Sequence, residues 1–137
     1  DNYWDEDILS KDRQKTIWAY QSLLKDKGRL CFGTDLPLDI PDIPMSIKFG
    51  TFRVFPDGTP DGGYHMDEAL TPGEILTCWS KNGQEANFEE KRLGTLEEGK
   101  LADIAVIDTN VFKAGLKEIE KAEVCMTIYN GEIVYKK

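Results

Sequence analysis

The sequence predicts an α/β protein that is helical at first and mainly sheet in its last third. An apolar helical period ends at Gly28 and is followed at once by a short apolar run, residues 29–34. Helix, tight turn and strand make half of a βαβ unit. Past Gly94 the pattern changes to that of strands, with Asn130 and Gly131 as the preferred pair for a type I′ hairpin turn. We therefore expect helices followed by a small sheet.

The first predicted helix covers residues 10–27. Its apolar side chains recur at helical spacing, Ser10 is placed to cap its start, and Gly28 suits a left-handed exit. The apolar run at residues 29–34 is short and closed by Gly33, so it fits a buried strand better than a second helix.

The middle of the chain predicts a long loop and then a second long helix. Because most of the six prolines lie there, we expect regular structure only in a short piece at residues 45–52. Residues 55–65 are polar and Gly-rich, and a loop of this length usually lines a site or is mobile. Thr71 as cap and Glu74 as its capping-box partner then start a helix predicted to run over residues 72–88.

The last third predicts strands around a short helical piece. Residues 100–108, KLADIAVID, hold an apolar run flanked by Asp103 and Asp108, and residues 123–137 hold two β-rich runs around the predicted hairpin turn. Between them, residues 111–122 predict one helical turn or two.

Charge and composition exclude several classes of partner. With 17 Lys and Arg against 25 Asp and Glu, the net charge of -8 repels phosphate backbones and anionic lipid surfaces. No apolar stretch approaches the roughly 18 to 20 residues that cross a bilayer. Cys31, Cys78 and Cys125 lie far apart without CxxC spacing, so neither a disulfide framework nor a zinc cluster is expected. We predict three buried thiols in a reducing compartment such as the cytoplasm, with no nucleic-acid or membrane partner.

Asp35 is the strongest candidate for a chemical role. It follows the apolar run 29–34, and α/β proteins place reactive groups at the carboxyl ends of buried parallel strands. The alternative is a turn before Pro37, in which Asp35 caps local backbone amides. His65 is the only histidine, and it lies in the Gly-rich loop without a pattern that would orient it as a base. Position alone leaves both interpretations of Asp35 open.

Several segments in order resemble the metal-dependent amidohydrolases, specifically amidohydrolase family 3. Residues 20–37, YQSLLKDKGRLCFGTDLP, resemble the last helix and eighth strand of a (β/α)8 barrel. Residues 53–108 resemble the last loop, the terminal helix and the Gly-Lys-x-Ala-Asp return into a small β-sandwich, and residues 124–135 resemble its closing hairpin. The resemblance implies a C-terminal portion of such a barrel over residues 1–92 and sandwich strands with the hairpin over residues 93–137.

The resemblance also implies a site and a reaction. Asp35 would be the catalytic residue and a metal ligand, and would carry a proton to the leaving group. The implied cofactor is a divalent metal, with zinc the first choice. The implied reaction is hydrolysis of a C–N bond in an amide, a cyclic amide or a related small molecule. Arg53 and the loop that ends at His65 match positions near the mouth of the site, where they would contact substrate.

The sequence lacks most of the histidine ligands that the family uses, and this leads to a further expectation. The family pattern uses several histidine ligands, and this chain has one His, so it resembles a C-terminal fragment that binds no metal and lacks activity by itself. A strand at residues 29–34 without barrel neighbours would expose its edges, which predicts a homo-oligomer formed through exposed sheet edges. Two alternatives stay open. One is a stand-alone binding or regulatory module derived from a hydrolase half-barrel, and the other is a small α+β domain with common turns and caps.

Overall fold

The computed structural model describes residues 8–37 and 42–137, in which short helices precede and flank a three-stranded antiparallel sheet. This arrangement confirms a mixed helix-and-strand fold. Helices and strands follow one another as α1 Lys11–Gln14, α2 Tyr20–Lys25, α3 Ile43–Phe52, a 3-10 turn Met66–Glu68, α4 Pro72–Trp79, α5 Lys81–Ala86, β1 Ile104–Ile107, α6 Leu116–Ile119, β2 Val124–Tyr129 and β3 Glu132–Lys136.

The single helix predicted over residues 10–27 is wrong, because it is interrupted between α1 and α2. Trp18 has φ 53°, in the left-handed region that a bulky residue seldom adopts, and it ends the helical path there. At the far end, Lys27 with φ 61° takes the left-handed position that we assigned to Gly28. Gly28 is needed for a different reason, since a Cβ there would lie 2.6 Å from the Leu23 carbonyl oxygen.

The strand predicted at residues 29–34 is also wrong, since that segment has no regular secondary structure. A strand forms only where a neighbour completes its ladder of backbone hydrogen bonds, and the described residues offer this segment no such neighbour. The segment lies against the helices instead. Phe32 N donates to Cys78 O at 3.2 Å, and Asn82 Nδ2 donates to Leu30 O at 2.8 Å.

Helix α3 and the loop after it match the expectations for the middle of the chain. Asp42 caps the helix by accepting from Met45 N at 2.9 Å, and Arg53 ends it in the left-handed region at φ 50°. Residues 55–65 form the predicted loop, which folds back on the helix end through Tyr64 N and Arg53 O at 2.9 Å. The loop is thereby fixed at its base.

Helix α4 begins with the predicted capping box. Thr71 Oγ1 accepts from Glu74 N at 3.3 Å, while Glu74 Oε2 accepts from Thr71 N at 2.8 Å. The prediction that one helix continues to residue 88 is wrong, because the path breaks at Ser80 and resumes as α5. Ser80 Oγ donates back to Leu76 O at 2.7 Å, a bond that competes with helix continuation.

The sheet has the order β1-β2-β3, with both pairings antiparallel. Asn130 and Gly131, at φ 50° and 83°, join β2 to β3 as the predicted two-residue turn. Between β2 and β3 the register shifts, with Thr127 opposite Tyr135 but Ile128 opposite Ile133. All five residues of β3 are exposed, so this edge strand is open on both faces.

The buried core lies where α3, α4 and α6 meet. Its fully enclosed members are apolar, and they are Ile47, Leu70, Ile75, Val111 and Ile119. Gly50 allows α3 to approach α4 closely, since a Cβ there would lie 2.6 Å from Ile75 Cδ1. Among the described helices, none combines the length and apolarity that a bilayer crossing requires.

One ion pair fastens α3 to the end of α6. The ammonium of Lys48, on a side chain only 3% exposed, donates to Glu120 Oε1 at 2.7 Å and to Pro56 O at 3.1 Å. A buried lysine is tolerated where such partners satisfy its charge and donors.

The cysteines depart from the prediction of three buried thiols. Cys78 is buried, Cys125 is half-buried and Cys31 is exposed. Burial raises the pKa of the Cys78 thiol, which keeps it in the neutral form. Cys31 is exposed because the segment that carries it forms no buried strand.

Candidate functional site

A cleft of about 520 Å³ lies beside α3 and is walled by aromatic rings, and we call it the aromatic cleft. The rings come from separate parts of the chain: Trp18, Tyr20, Phe32, Phe49, Phe55, Tyr64 and Trp79. Tyr20 meets Phe32 edge to face at 5.5 Å between ring centroids and lies 6.1 Å from Trp18. The break between α1 and α2 places Trp18 and Tyr20 in this wall.

Arg53 is the charged group of the aromatic cleft. Its position at the left-handed end of α3 turns the chain into the loop, and the residue is 8% exposed. Nε donates to Tyr64 O, and Nη1 donates to Trp18 O and Glu68 O, both at 3.3 Å. The guanidinium carbon lies 5.8 Å from the Tyr20 ring centroid, within cation-π range. The arginine therefore joins three segments through their carbonyls.

The charge of Arg53 has no ion-pair partner within the described ranges 8–37 and 42–137. Burial lowers the pKa of Arg53, while the nearby Tyr20 and Glu68 act in the opposite direction. Burial also raises the pKa of the Tyr20 phenol. The aromatic cleft thus combines a low-dielectric wall with a cation.

Glu68 is buried near Arg53, but its carboxylate forms its hydrogen bonds with Ser22. Its carboxylate accepts from Ser22 N at 2.8 Å and from the Ser22 hydroxyl. These hydrogen bonds from Ser22 hold the pKa of the Glu68 carboxyl below its ordinary value. The side chain connects the 3-10 turn to α2, and only its backbone carbonyl reaches Arg53. Sequence reasoning missed Glu68, whose role depends on a partner 46 positions away.

His65 lies at the start of the 3-10 turn with φ 45°. Its ring stacks on Tyr64, with 4.2 Å between ring centroids and 27° between planes. Tyr64 and Arg53 line the aromatic cleft, and His65 is not part of that wall. The structure therefore places Arg53, but not His65, in the cleft.

Asp35 lies in an exposed turn over residues 35–37, with φ 54°. The turn of the alternative interpretation is therefore present, and the Asp35 carboxylate makes no hydrogen bond or ion pair to any described residue. The aromatic cleft is lined by Phe32 and Gly33 just upstream, whereas Asp35 itself is not in its wall. Within residues 8–37 and 42–137, no group of three or more His, Cys, Asp or Glu side chains is arranged to hold a metal ion.

A second cleft, of about 630 Å³, lies between α4 and β1. Its wall is mainly apolar and includes Leu76, Trp79, Ile107 and Phe112, with Asp103 as its charged member. Asp103 Oδ1 accepts a hydrogen bond from Asn130 N, at the hairpin turn, at 2.7 Å. Ser80, Thr109 and Asn110 are further polar members of its wall.

The family model described as "Amidohydrolase family" matches residues 1–135 of the sequence. The chain belongs to the amidohydrolase family. This membership confirms the resemblance found in the motifs of residues 20–37, 53–108 and 124–135.

Amidohydrolase relatives are much longer than the matched region. YtcJ of Bacillus subtilis (strain 168), which carries a provisional name as an amidohydrolase, is 30% identical over 135 residues, 98% of this chain and 25% of the relative. Protein LONG AFTER FAR-RED 3 of Arabidopsis thaliana is 28% identical over 121 residues, 88% of this chain and 20% of the relative. The chain thus spans a quarter or less of the length of these curated relatives.

One solved structure that aligns with this chain is that of an amidohydrolase from Thermotoga maritima MSB8. It aligns with a TM-score of 0.47 and 18% sequence identity, over 90% of this chain and 36% of that chain.

Proposed function

We propose that this chain is the C-terminal part of a metal-dependent hydrolase that cleaves C–N bonds in small amides or cyclic amides. The observation that carries the proposal is the amidohydrolase match over residues 1–135, which includes the stretch around Asp35. In this proposal, residues 1–92 belong to the end of a (β/α)8 barrel and residues 93–137 to an appended β-sandwich. The segment at residues 29–34 would become a strand when neighbouring strands of the whole protein complete its ladder.

Asp35 is the proposed catalytic residue. Its carboxylate would accept a proton from the attacking water and pass it to the leaving nitrogen, as a positioned general base that becomes an acid. Its exposure supports this role, because an exposed carboxylate that makes no hydrogen bond or ion pair to described residues can bind groups outside this chain. Arg53 is proposed to contact the substrate, and His65 to lie near the mouth of the site.

A divalent cation, with zinc the first choice, is the proposed cofactor of the whole protein, and Asp35 is one proposed ligand. The described residues do not fit the cation by themselves, because they form no group of three or more His, Cys, Asp or Glu side chains that could hold it. The other ligands are therefore proposed to come from outside this chain. By the same reasoning the isolated chain is proposed to be inactive.

The test is an Asp35→Asn variant of the whole protein, compared with an Asp26→Asn variant. Asp26 is an exposed residue at the end of α2, so its change alters charge equally without touching the proposed site. Hydrolysis of a panel of amides and cyclic amides should fall by at least about a hundredfold in Asp35→Asn and stay unchanged in Asp26→Asn. Circular dichroism should be the same for all proteins. Retained hydrolysis in a folded Asp35→Asn variant would remove Asp35 from the mechanism.

A second proposal is that copies of this chain associate through a sheet edge, as a binding module would. Because residues 29–34 form no strand, the candidate edge is β3, whose residues Ile133, Val134 and Tyr135 are all exposed. Light scattering of the chain at high concentration should give a mass above that of one copy. A Val134→Lys variant, which places a charge on this exposed edge strand, should lower the mass, and a monomeric unaltered chain would contradict the proposal.

A further inference from the structure

We infer that the aromatic cleft binds the carboxylate of a small aromatic molecule, with the Arg53 guanidinium holding the anion and the rings packing against the aryl group. The inference rests on the proposed function and deepens it by naming a substrate class for the hydrolase, aryl compounds that carry a carboxylate beside the scissile bond. It concerns residues of this chain alone, so binding is measurable without hydrolysis.

The first argument is the charge of the aromatic cleft. Arg53 is more than nine-tenths buried, and buried charged groups in proteins are normally paired. The nearest buried carboxylate, that of Glu68, accepts its hydrogen bonds from Ser22 and offers Arg53 only a backbone carbonyl. No carboxylate of the described chain lies within 4.0 Å of the guanidinium as an ion-pair partner. Glu68 and Asp67 act on the guanidinium only from a distance, and a bound anion would give it a direct ion pair.

The second argument is the geometry of the guanidinium. Nε and Nη1 are fixed by carbonyls of Tyr64, Trp18 and Glu68, which belong to three different segments. Nη2 donates to no described residue, and Arg53 is part of the cleft wall. A guanidinium held in this way is oriented before any ligand arrives, and charge-assisted N–H to carboxylate bonds are the strongest it makes. The structure therefore holds an oriented guanidinium in a residue of the cleft wall.

The third argument is the shape and lining of the aromatic cleft. Its volume of about 520 Å³ lies in the ordinary range for small-molecule sites. An engineered cavity of about 150 Å³ already holds benzene, so this cleft has room for an aryl ring and a carboxylate arm. Phe32 and Phe49 contribute aromatic rings to its wall, against which an aryl group can pack. The chain's net charge of -8 opposes a polyanion such as nucleic acid as the occupant of the cleft.

The test uses ligands that separate the charge from the ring. Trp18 and Trp79 line the aromatic cleft, so their fluorescence reports binding to the 137-residue chain. Phenylacetate should change the fluorescence saturably, and phenylacetamide, with the same ring and no charge, should need at least about a tenfold higher concentration. Acetate, with the charge and no ring, should give no saturable change over the same range. Equal affinity for the acid and the amide, or no saturable change with phenylacetate, would overturn the inference.

Variants then assign the preference to Arg53. Arg53→Gln should abolish the difference between phenylacetate and phenylacetamide, whereas Phe49→Ala should weaken both ligands alike. The control is Arg29→Gln, which removes an exposed arginine that pairs with Glu85 outside the cleft, and it should keep the difference. Because Arg53 supports three carbonyls, Arg53→Gln is first checked by circular dichroism. If it does not fold, the acid and amide titrations of the unaltered chain decide.

The whole protein separates this inference from the proposed function. If aryl carboxylates fail to bind while amide hydrolysis persists, the inference is wrong and the hydrolase proposal stands. If binding occurs as described while Asp35→Asn hydrolyses amides normally, the proposed role of Asp35 is wrong and the cleft remains a carboxylate site. Substrates with a carboxylate should also show a lower KM than their neutral amides, and Arg53→Gln should remove that difference.

Discussion

The close approach of α3 to α4 is tested by changing Gly50 to alanine. A Cβ at this position would lie 2.6 Å from Ile75 Cδ1 and 3.0 Å from Cγ1, well inside van der Waals contact. Ile75 is fully buried in the same cluster as Ile47 and Leu70, so its terminal methyl has little room to turn away. The substitution therefore forces a shift in a packed core.

Two effects of opposite sign set the magnitude. Alanine in place of glycine inside a helix stabilises by about 1 kcal/mol, whereas overpacking a core costs about 1 to 3 kcal/mol. We expect Gly50→Ala to lower the free energy of unfolding by about 0 to 2 kcal/mol. Ile75→Val, which removes the clashing methyl, should cost about 0.5 to 1.5 kcal/mol alone. In the double variant the new alanine methyl fills the space that the Ile75 methyl has left. The destabilisation of the double variant should therefore be smaller than the sum of the two single variants by about 1 to 2 kcal/mol.

Urea unfolding followed by circular dichroism measures all four proteins. The matched control is Gly83→Ala in α5, where a Cβ would meet nothing closer than 3.9 Å and should stabilise by up to about 1 kcal/mol. Two results would refute the reasoning. One is that Gly50→Ala stabilises as much as Gly83→Ala, and the other is that Gly50→Ala and Ile75→Val add within about 0.5 kcal/mol.

Three further predictions concern single contacts. Ser22→Ala should lower the free energy of unfolding at pH 7 and make that free energy fall less steeply in acid. The lowered pKa of Glu68 means that its hydrogen bonds stabilise the fold above the ordinary pKa of 4.5, and this stabilisation is lost as pH falls through the lowered pKa. Unfolding at several pH values checks this, and unchanged acid dependence would contradict it. Thr71→Ala should cost about 1 kcal/mol in urea unfolding, and Thr71→Ser should restore most of it. Glu120→Gln should cost about 1 to 3 kcal/mol by leaving buried Lys48 with a neutral partner, and an unchanged midpoint would argue against the ion pair.

The features that the sequence predicted correctly are determined by a few neighbouring residues. The capping box at Thr71 and the hairpin turn at Asn130 need only side chains within four positions. The strand at residues 29–34 failed because a strand depends on a distant partner for its hydrogen bonds. The predictions of unbroken helices through Trp18 and Ser80 were wrong for a related reason. The helical period of the apolar residues does not reveal where tertiary packing turns the chain.

The candidate site likewise depends on contacts between distant segments, which the sequence pattern does not reveal. The resemblance implied a substrate contact for Arg53, which stays a prediction, and one of the three carbonyls that orient its guanidinium belongs to Trp18, 35 positions earlier. The aromatic cleft was not predicted, because its rings come from segments that the sequence pattern assigned to separate helices and loops. Asp35 was identified from its motif, and its role stays a prediction.

The sheet is weakly joined to the rest of the described chain, and this bears on how the protein opens. Of the three strands, β1 alone packs a side chain, Ile107, against the buried cluster, while β3 lies exposed along its whole length. Amide hydrogens in α3 and α4 should therefore exchange with solvent only when the core unfolds, whereas those of β3 should exchange through a separate, lower-energy opening. The chain would behave as two cooperative units, of which the sheet is the first to be lost.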